Sequence, residues 1–431
     1  MAGLLLLALL AATPLRATTL LRDADMEYSL TELAKPILRA AGLSPSQVRI
    51  LVTDDSSLNA FIVDTQHIFI HSGLILKLDT ARALQAVIAH EAAHIANGHI
   101  SRRVGNMRSA RTAAGLGLVL AAAAASAGRG DAAAGIALGT SSAATRSFLA
   151  HTRAEEASAD QSSVRYLLRA GVDPRGAVEV LDIFRGQEAL SAGRQDPYMR
   201  THPLTRDRLR AMKSFVAARD GEIIQDKAAQ YWFARAKGKL SAFKRAPKWT
   251  LRRIGEGPSR DIDLMREAVA YHRQSDLGRA LKAIDGAIAL RPRDAYLYDL
   301  KGQILLESRR ATEAERVYAQ AAKLAPREPQ ILGGLGRAQL ANGNAQAALR
   351  SLEAARGRDW RDGRVLRDLA VAYAKIGQPA MASVVTAERY ALQGRLKDAA
   401  IHAKRAVARL PRGSGPWQRA QDVLSAFERQ R

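Results

Sequence analysis

Apolar positions along this chain change their period several times, and each change predicts an element. Over residues 26–41, Leu30, Leu33, Ile37 and Leu38 recur at helical spacing, and Gly42 with Pro45 closes the segment. Residues 48–53 and 59–63 are short β-branched runs. His67-Ile68-Phe69-Ile70-His71-Ser72-Gly73-Leu74-Ile75 follows, and together these runs predict a small sheet. Helical spacing returns over residues 79–96, with Leu84, Val87, Ile88 and Ile95 in an alanine-rich frame and Asp79 or Thr80 placed to cap its start. A further helix runs from Arg153 through Val164, Leu167 and Leu168 to Gly171. Between the two helices, residues 113–127 and 132–139 are almost all small or apolar, split by Gly128-Arg129-Gly130-Asp131. Neither half is long enough to span a bilayer, so the expectation is a helical hairpin that packs on the core or touches a membrane or partner.

The second half has its own rhythm. Ala280, Ile284, Ala287 and Pro292 are echoed by Ala314, Tyr318, Ala321 and Pro326, one step of 34 residues later. Gly302 and Gly336 keep the same step, and Ala348, Leu352 and Ala355 continue it. Ala399, Ala403, Ala406 and Pro411 resume the pattern with its register shifted by half a period. This period and pattern look like tetratricopeptide repeats, whose helix pairs stack into a superhelix with a concave binding face. Ahead of them, Trp232, Phe233, Leu240, Phe243 and Trp249 interleave with Arg and Lys. That stretch reads as a linker helix docking its aromatics and leaving its basic side chains in water, or as a basic surface for anionic lipid.

Composition narrows the chemistry. The chain of 431 residues contains no cysteine, so disulfides and thiolate metal sites are excluded and any ion must be held by His and carboxylate. The net charge is +23, and residues 231–431 hold 39 Lys and Arg against 20 Asp and Glu. The arginines are scattered over repeat faces without a nucleic-acid motif, so anionic membrane surfaces or acidic protein segments are the expected partners, and nucleic acid is not. Leu4 to Leu10 is a short apolar run followed by small residues, which reads as a secretory signal over residues 1–17.

One pentapeptide carries reactivity: His90-Glu91-Ala92-Ala93-His94. On a helix, residues four apart share a face, so His90 and His94 can present two imidazoles to one ion while Glu91 lies beside it. That is the arrangement of a zinc hydrolase, two ligands and a carboxylate that takes a proton from water. Downstream, Glu156 and Asp160 also share a helix face. Glu156 can be a third ligand, and Asp160 can fix the far nitrogen of a ligand histidine. His67, His71, His99 and His151 are expected to be satisfied polar or surface histidines.

These residues together resemble the gluzincin metallopeptidases of the HtpX and CAAX-prenyl-protease superfamily. Asn59-Ala60-Phe61 and the run to Ile75 resemble that family's active-site edge strand and the turn into the zinc helix. Arg153, three before Glu156, fits as well, and Thr201-His202-Pro203 with Arg206 and Arg208 resembles its late His-Pro motif. Ser158 departs from the family, which commonly has an acidic residue there. The resemblance implies one Zn2+ per chain held by His90, His94 and Glu156, with Glu91, Asp160 and His202 in the catalytic machinery. It also implies an α+β metallopeptidase domain, mostly helical with a small sheet, ahead of the all-α repeat superhelix. The expected division is a signal over 1–17, the peptidase over 18–225, a basic linker helix over 226–260 and repeats over 261–431.

A secreted zinc peptidase joined to helical repeats resembles periplasmic envelope proteases, and that resemblance implies quality control of outer-membrane proteins from the periplasm. Its substrates would be unfolded or misassembled proteins, the repeats would engage the assembly machinery, and anionic membrane would be a peripheral contact. The competing expectation is a non-catalytic, chaperone-like repeat scaffold with a relic metal site.

Overall fold

The computed structural model describes residues 20–100, 153–190, 194–218 and 226–429. The expected signal, the small-residue hairpin and His151 lie outside the described residues.

The sheet has four strands in the order β1-β2-β4-β3: β1 Leu20–Leu21, β2 Arg49–Thr53, β3 Ala60–Ile62 and β4 His67–His71. β2 and β4 are parallel, with Arg49 opposite His67 and Thr53 opposite His71. β3 runs antiparallel to β4, Phe61 against Phe69, and forms one edge. The sheet packs with α1 (Ala24–Ala40), α2 (Ser72–Lys77) and α3 (Ala81–Ala96). The Thr80 hydroxyl caps α3 by accepting from Ala83 N, and α3 is buried on nearly all sides. A helix so placed is held by tertiary packing rather than by its alanines alone.

Next come α4 (residues 153–169), α5 (Arg175–Phe184), α6 (Pro197–Thr201) and α7 (Arg206–Ala217). α5 lies close on the start of α3. A Cβ at Gly176 would fall 2.3 Å from Arg82 O, so only glycine permits that approach.

The helix read as a linker is α8 (Lys227–Lys244), and it belongs to two cores at once. Ala229, Phe233, Ala236 and Leu240 complete the core under α1 and α3. Ala242, with Tyr231 and Phe243, packs into the first repeat core. The expectation of solvated basic side chains fails at two positions: Arg235 and Lys239 are fully buried. Arg235 Nε donates to Asp25 Oδ1 at 2.6 Å and its Nη1 to Asp294 Oδ2 at 2.5 Å, while Lys239 Nζ lies 3.0 Å from Asp23 Oδ2. Their acidic partners sit far away in sequence, at the start of α1 and just before Ala295, where no local pattern could announce them.

After α9 (Pro247–Leu251), helices α10 to α19 stack as five antiparallel pairs. These are α10/α11 (Arg260–Arg273, Leu277–Leu290), α12/α13 (Ala295–Glu307, Ala311–Leu324), α14/α15 (Pro329–Ala341, Ala345–Arg358), α16/α17 (Gly363–Lys375, Pro379–Leu392) and α18/α19 (Leu396–Val407, Gly415–Glu428). Gly302 and Gly336 are contact points: a Cβ on Gly302 would meet the Tyr318 ring at 2.7 Å, and one on Gly336 would meet Leu352 Cγ at 2.5 Å. The shifted register has a simple cause. Ala399, Ala403 and Ala406 are buried on α18, the first helix of its pair, whereas the same pattern marks second helices earlier on. Among the described residues, no helix is long and apolar enough to cross a membrane.

Candidate metal centre

α3 presents His90, Glu91 and His94, all buried, toward Glu156 on α4. His90 Nε2 and His94 Nε2 are each 3.2 Å from the Glu156 carboxylate and 3.1 Å from each other. His202 follows α6 and reaches the same point, with Nδ1 3.1 Å from both Glu156 oxygens and 3.3 Å from His90 Nε2. One ligand atom from each of the four residues lies within 4.8 Å of every other, so the group could hold a metal ion.

The far side of each imidazole is also occupied. His90 Nδ1 lies 3.2 Å from Asp160 Oδ1. His94 Nδ1 lies 2.9 Å from Nδ1 of His99. With both Nδ1 atoms engaged, the two Nε2 atoms are turned inward toward one point, where they can ligate a cation. The donor set of imidazole nitrogen and carboxylate oxygen, without sulfur, fits zinc in its three-ligand hydrolase form.

Electrostatics strain the site in opposite directions. Burial opposes a charge on His90, but Asp160 and Glu156 outweigh it and raise its pKa to about 10. Burial lowers His94 to about 3, with cationic neighbours adding to the effect. Burial would raise Glu156, yet His202, His90 and His94 hold its carboxyl well below the usual range. Two imidazoles on one helix face thus differ sharply because Asp160 supports only one of them.

Arg208 on α7 braces the acids. Its Nε and Nη2 donate to the two oxygens of Asp160 at 2.7 and 2.9 Å, and Nη2 lies 3.3 Å from Glu156 Oε2. Of the two arginines after the His-Pro pair, Arg208 is buried and Arg206 is exposed. A bidentate guanidinium fixes both carboxylate oxygens in one plane, which lysine could not do.

His202 is tied into the strand edge. Its Nε2 lies 3.3 Å from Ala60 O and 3.4 Å from Glu91 Oε1. The segment around it is tied as well: Tyr198 N donates to Leu58 O at 3.1 Å, and Thr201 Oγ1 to Asn59 Oδ1 at 3.2 Å.

His99 is the residue that sequence reasoning missed. It is a satisfied polar histidine outside the four-residue group, but one that touches a member of it: α3 stops at Ala96 and Gly98 adopts φ +69°, which folds His99 back over His94. His67 and His71 are likewise buried, held by Asp64 at 2.9 Å and by Ser57 at 3.0 Å, away from the four-residue group. At the departure from the family pattern, Ser158 accepts from Asn97 Nδ2 at 3.2 Å, so a neutral side chain there links α4 to the end of α3.

Residues 21–216 match the model of Peptidase family M48. The chain is 24% identical over 397 residues to the beta-barrel assembly-enhancing protease of Escherichia coli (strain K12), covering 88% of this chain and 78% of that one. It is 25% identical over 249 residues to the putative beta-barrel assembly-enhancing protease of Vibrio cholerae serotype O1, covering 52% of this chain and 50% of that one. Among solved structures, MamA from Desulfovibrio magneticus RS-1 aligns at 17% identity and a TM-score of 0.33, over 38% of this chain and 96% of its own. A thermophilic TPR protein of Thermus thermophilus aligns at 17% identity and a TM-score of 0.29, over 45% and 93%.

Proposed function

We propose that this chain, with its peptidase M48 domain over residues 21–216, is a zinc-dependent endopeptidase that hydrolyses misfolded or stalled envelope proteins. The observation that carries the reading is the convergence of His90 Nε2, His94 Nε2 and the Glu156 carboxylate, with Asp160 and His99 engaging the far nitrogens. His90, His94 and Glu156 would hold the ion, with His202 beside them as a further donor. Zinc bound there would act as a Lewis acid on the scissile carbonyl and lower the pKa of water.

The remaining work falls to the chain. The Glu91 carboxylate takes a proton from the attacking water and returns it to the leaving amine nitrogen. Asp160 and His99 keep Nδ1–H on His90 and His94, so that Nε2 is the ligand atom on each. An extended substrate adds along the edge strand β3 and takes its register from the backbone there. His202 serves as a latch, since its imidazole fills the position a water needs and its segment is pinned to that same edge.

Substrates are unfolded or misassembled proteins, and the names of the two protease relatives support a role in outer-membrane assembly, with the repeats as the surface for that machinery. The site of action is the periplasm after removal of residues 1–17, and native protein beginning near Thr18 in a periplasmic fraction checks this.

The decisive experiment measures bound zinc together with cleavage of casein. Stoichiometric zinc and cleavage abolished by a chelator are expected. Zinc bound with no cleavage of any unfolded protein would favour the scaffold reading. If the latch assignment is right, His202→Ala raises basal proteolysis with zinc retained, and an unchanged or lower basal rate removes it.

A further inference from the structure

Beside the first strand, on the edge of the superhelix formed by the loops between successive helix pairs, lies a second site of different character. A cavity of about 470 Å³ opens between β1, the start of α16 and the end of α17. Five arginines line it, Arg22, Arg361, Arg364, Arg367 and Arg389, against one acid, Asp362. Asp362 is already spoken for: Arg22 Nη1 lies 3.7 Å from it, Arg364 Nη2 3.4 Å, and it caps α16. Arg367 shares Asp368 with Arg337. Arg361 and Arg389 have no carboxylate partner among the described residues; they lie over the rings of Trp360 and Tyr390, 4.8 and 5.3 Å from the ring centroids. Arg22 is paired with Glu27 and Asp359, each at 2.7 Å, so the uncompensated charge at the cavity is that of Arg361 and Arg389.

What fills it must be an anion from elsewhere. A second copy of the chain carries +23 and would be repelled. Residues 1–19 contain no acid, and residues 101–152 contain one Asp among several arginines; residues 219–225 contain Asp220 and Glu222 but are tethered at both ends, to α7 and α8 of the peptidase side. The surroundings narrow the class. Leu20 and Leu392 line the same cavity, Leu392 is 39% exposed, and Trp360 beside Arg361 is 54% exposed. Guanidiniums next to exposed tryptophan and leucine match the boundary of a bilayer, where phosphate meets acyl chain. An acidic peptide could pair with the same guanidiniums but gives no role to the exposed Trp360 and Leu392.

We propose that this cavity binds the phosphate headgroup of an anionic phospholipid, so that Arg361 and Arg389 seat the phosphate while Trp360 and Leu392 enter the interface. The site is independent of the metal centre and would orient the repeat edge toward a membrane surface.

The test uses the full chain and vesicle co-sedimentation, with phosphatidylcholine alone against phosphatidylcholine containing phosphatidylglycerol. Binding is expected only to the anionic vesicles. Arg361→Gln with Arg389→Gln should weaken it roughly 30-fold, from about 1 kcal/mol per basic residue at a lipid surface. Lys282→Gln with Lys323→Gln removes the same charge from repeat positions away from the cavity and should cost far less. Equal losses in the two pairs would reduce the effect to general charge and overturn the site. Loss of binding to poly-glutamate with vesicle binding unchanged would also overturn it, in favour of an acidic polypeptide. Trp360→Ala gives an independent arm, since loss of vesicle binding without loss of charge is expected only if the rim enters the bilayer; unchanged binding overturns that placement. Zinc content reads correct folding in every variant and is expected to stay at the wild-type level.

Discussion

Two regions of this protein bury charge, and they do it in opposite ways. At the seam between peptidase and repeats, buried charges meet their opposites: Arg235 with Asp25 and Asp294, Lys239 with Asp23, Arg22 with Asp359 at 2.7 Å. At the metal centre three imidazoles crowd a single carboxylate, with two Nε2 atoms 3.1 Å apart and His202 Nδ1 3.3 Å from one of them. A seam needs only itself to be neutral. A centre whose ligand atoms converge can hold an ion. The contrast separates structural from functional burial more sharply than burial itself, since the buried residues of both regions are equally hidden.

The comparison breaks first at Glu91. Glu91→Gln keeps shape and should retain zinc, while casein turnover falls by about 10²–10⁴-fold, the loss expected of a missing general base. Near-normal turnover would place the proton transfer elsewhere. At the seam the parallel substitution is Arg235→Ala. It leaves Asp25 and Asp294 without their shared partner and should cost about 3–5 kcal/mol in chemical denaturation, with zinc affinity unchanged. A seam variant that lost zinc instead would show the two regions to be coupled.

Smaller effects sharpen the distinction. Asp160→Ala and His99→Ala should each weaken zinc about 10- to 100-fold by competition titration, because each removes the partner of one Nδ1. The seam also has two acids raised rather than lowered. Burial, with Asp23 and Asp25 adding to it, raises Asp299 to about 7 despite Lys239, and burial with Glu27 and Asp299 nearby raises Glu328 to about 7. For a carboxyl raised in the folded state, the unfolded chain loses its proton first as pH rises. Stability is then fully present below the usual carboxylate pKa and lost by about pH 7. Lowering pH from 7.5 to 5.5 should raise the melting temperature by roughly 1–3 °C, and Asp299→Asn with Glu328→Gln should flatten that slope.

Local spacing made much of the centre legible. His90, Glu91 and His94 announce themselves because an α-helix converts a sequence step of four into a shared face, and Thr80 caps where a cap was expected. Glu156 and Asp160 sit on α4 in the same relation. His99 was missed because helical spacing was carried past the helix end. Asn97-Gly98 is a stop signal, and beyond it a five-residue offset no longer says which way a side chain turns. The buried charges of α8 were illegible for another reason. Arg235 lies 210 positions from Asp25, and no periodicity spans such a distance. Arg208 was named through the His-Pro pattern, but its brace on Asp160 became visible only in three dimensions.

The double allegiance of α8 bears on ancestry as much as on stability. Its Phe233 and Leu240 complete one core, its Ala242 enters the other, and Arg235 answers to an aspartate on each side. A peptidase half and a repeat half exchanged between lineages would have to match at all of these positions together. Descent should therefore pass the two halves on as one heritable block, and chimaeras joined on either side of Lys227–Lys244 should fail more often than their separate folds would suggest.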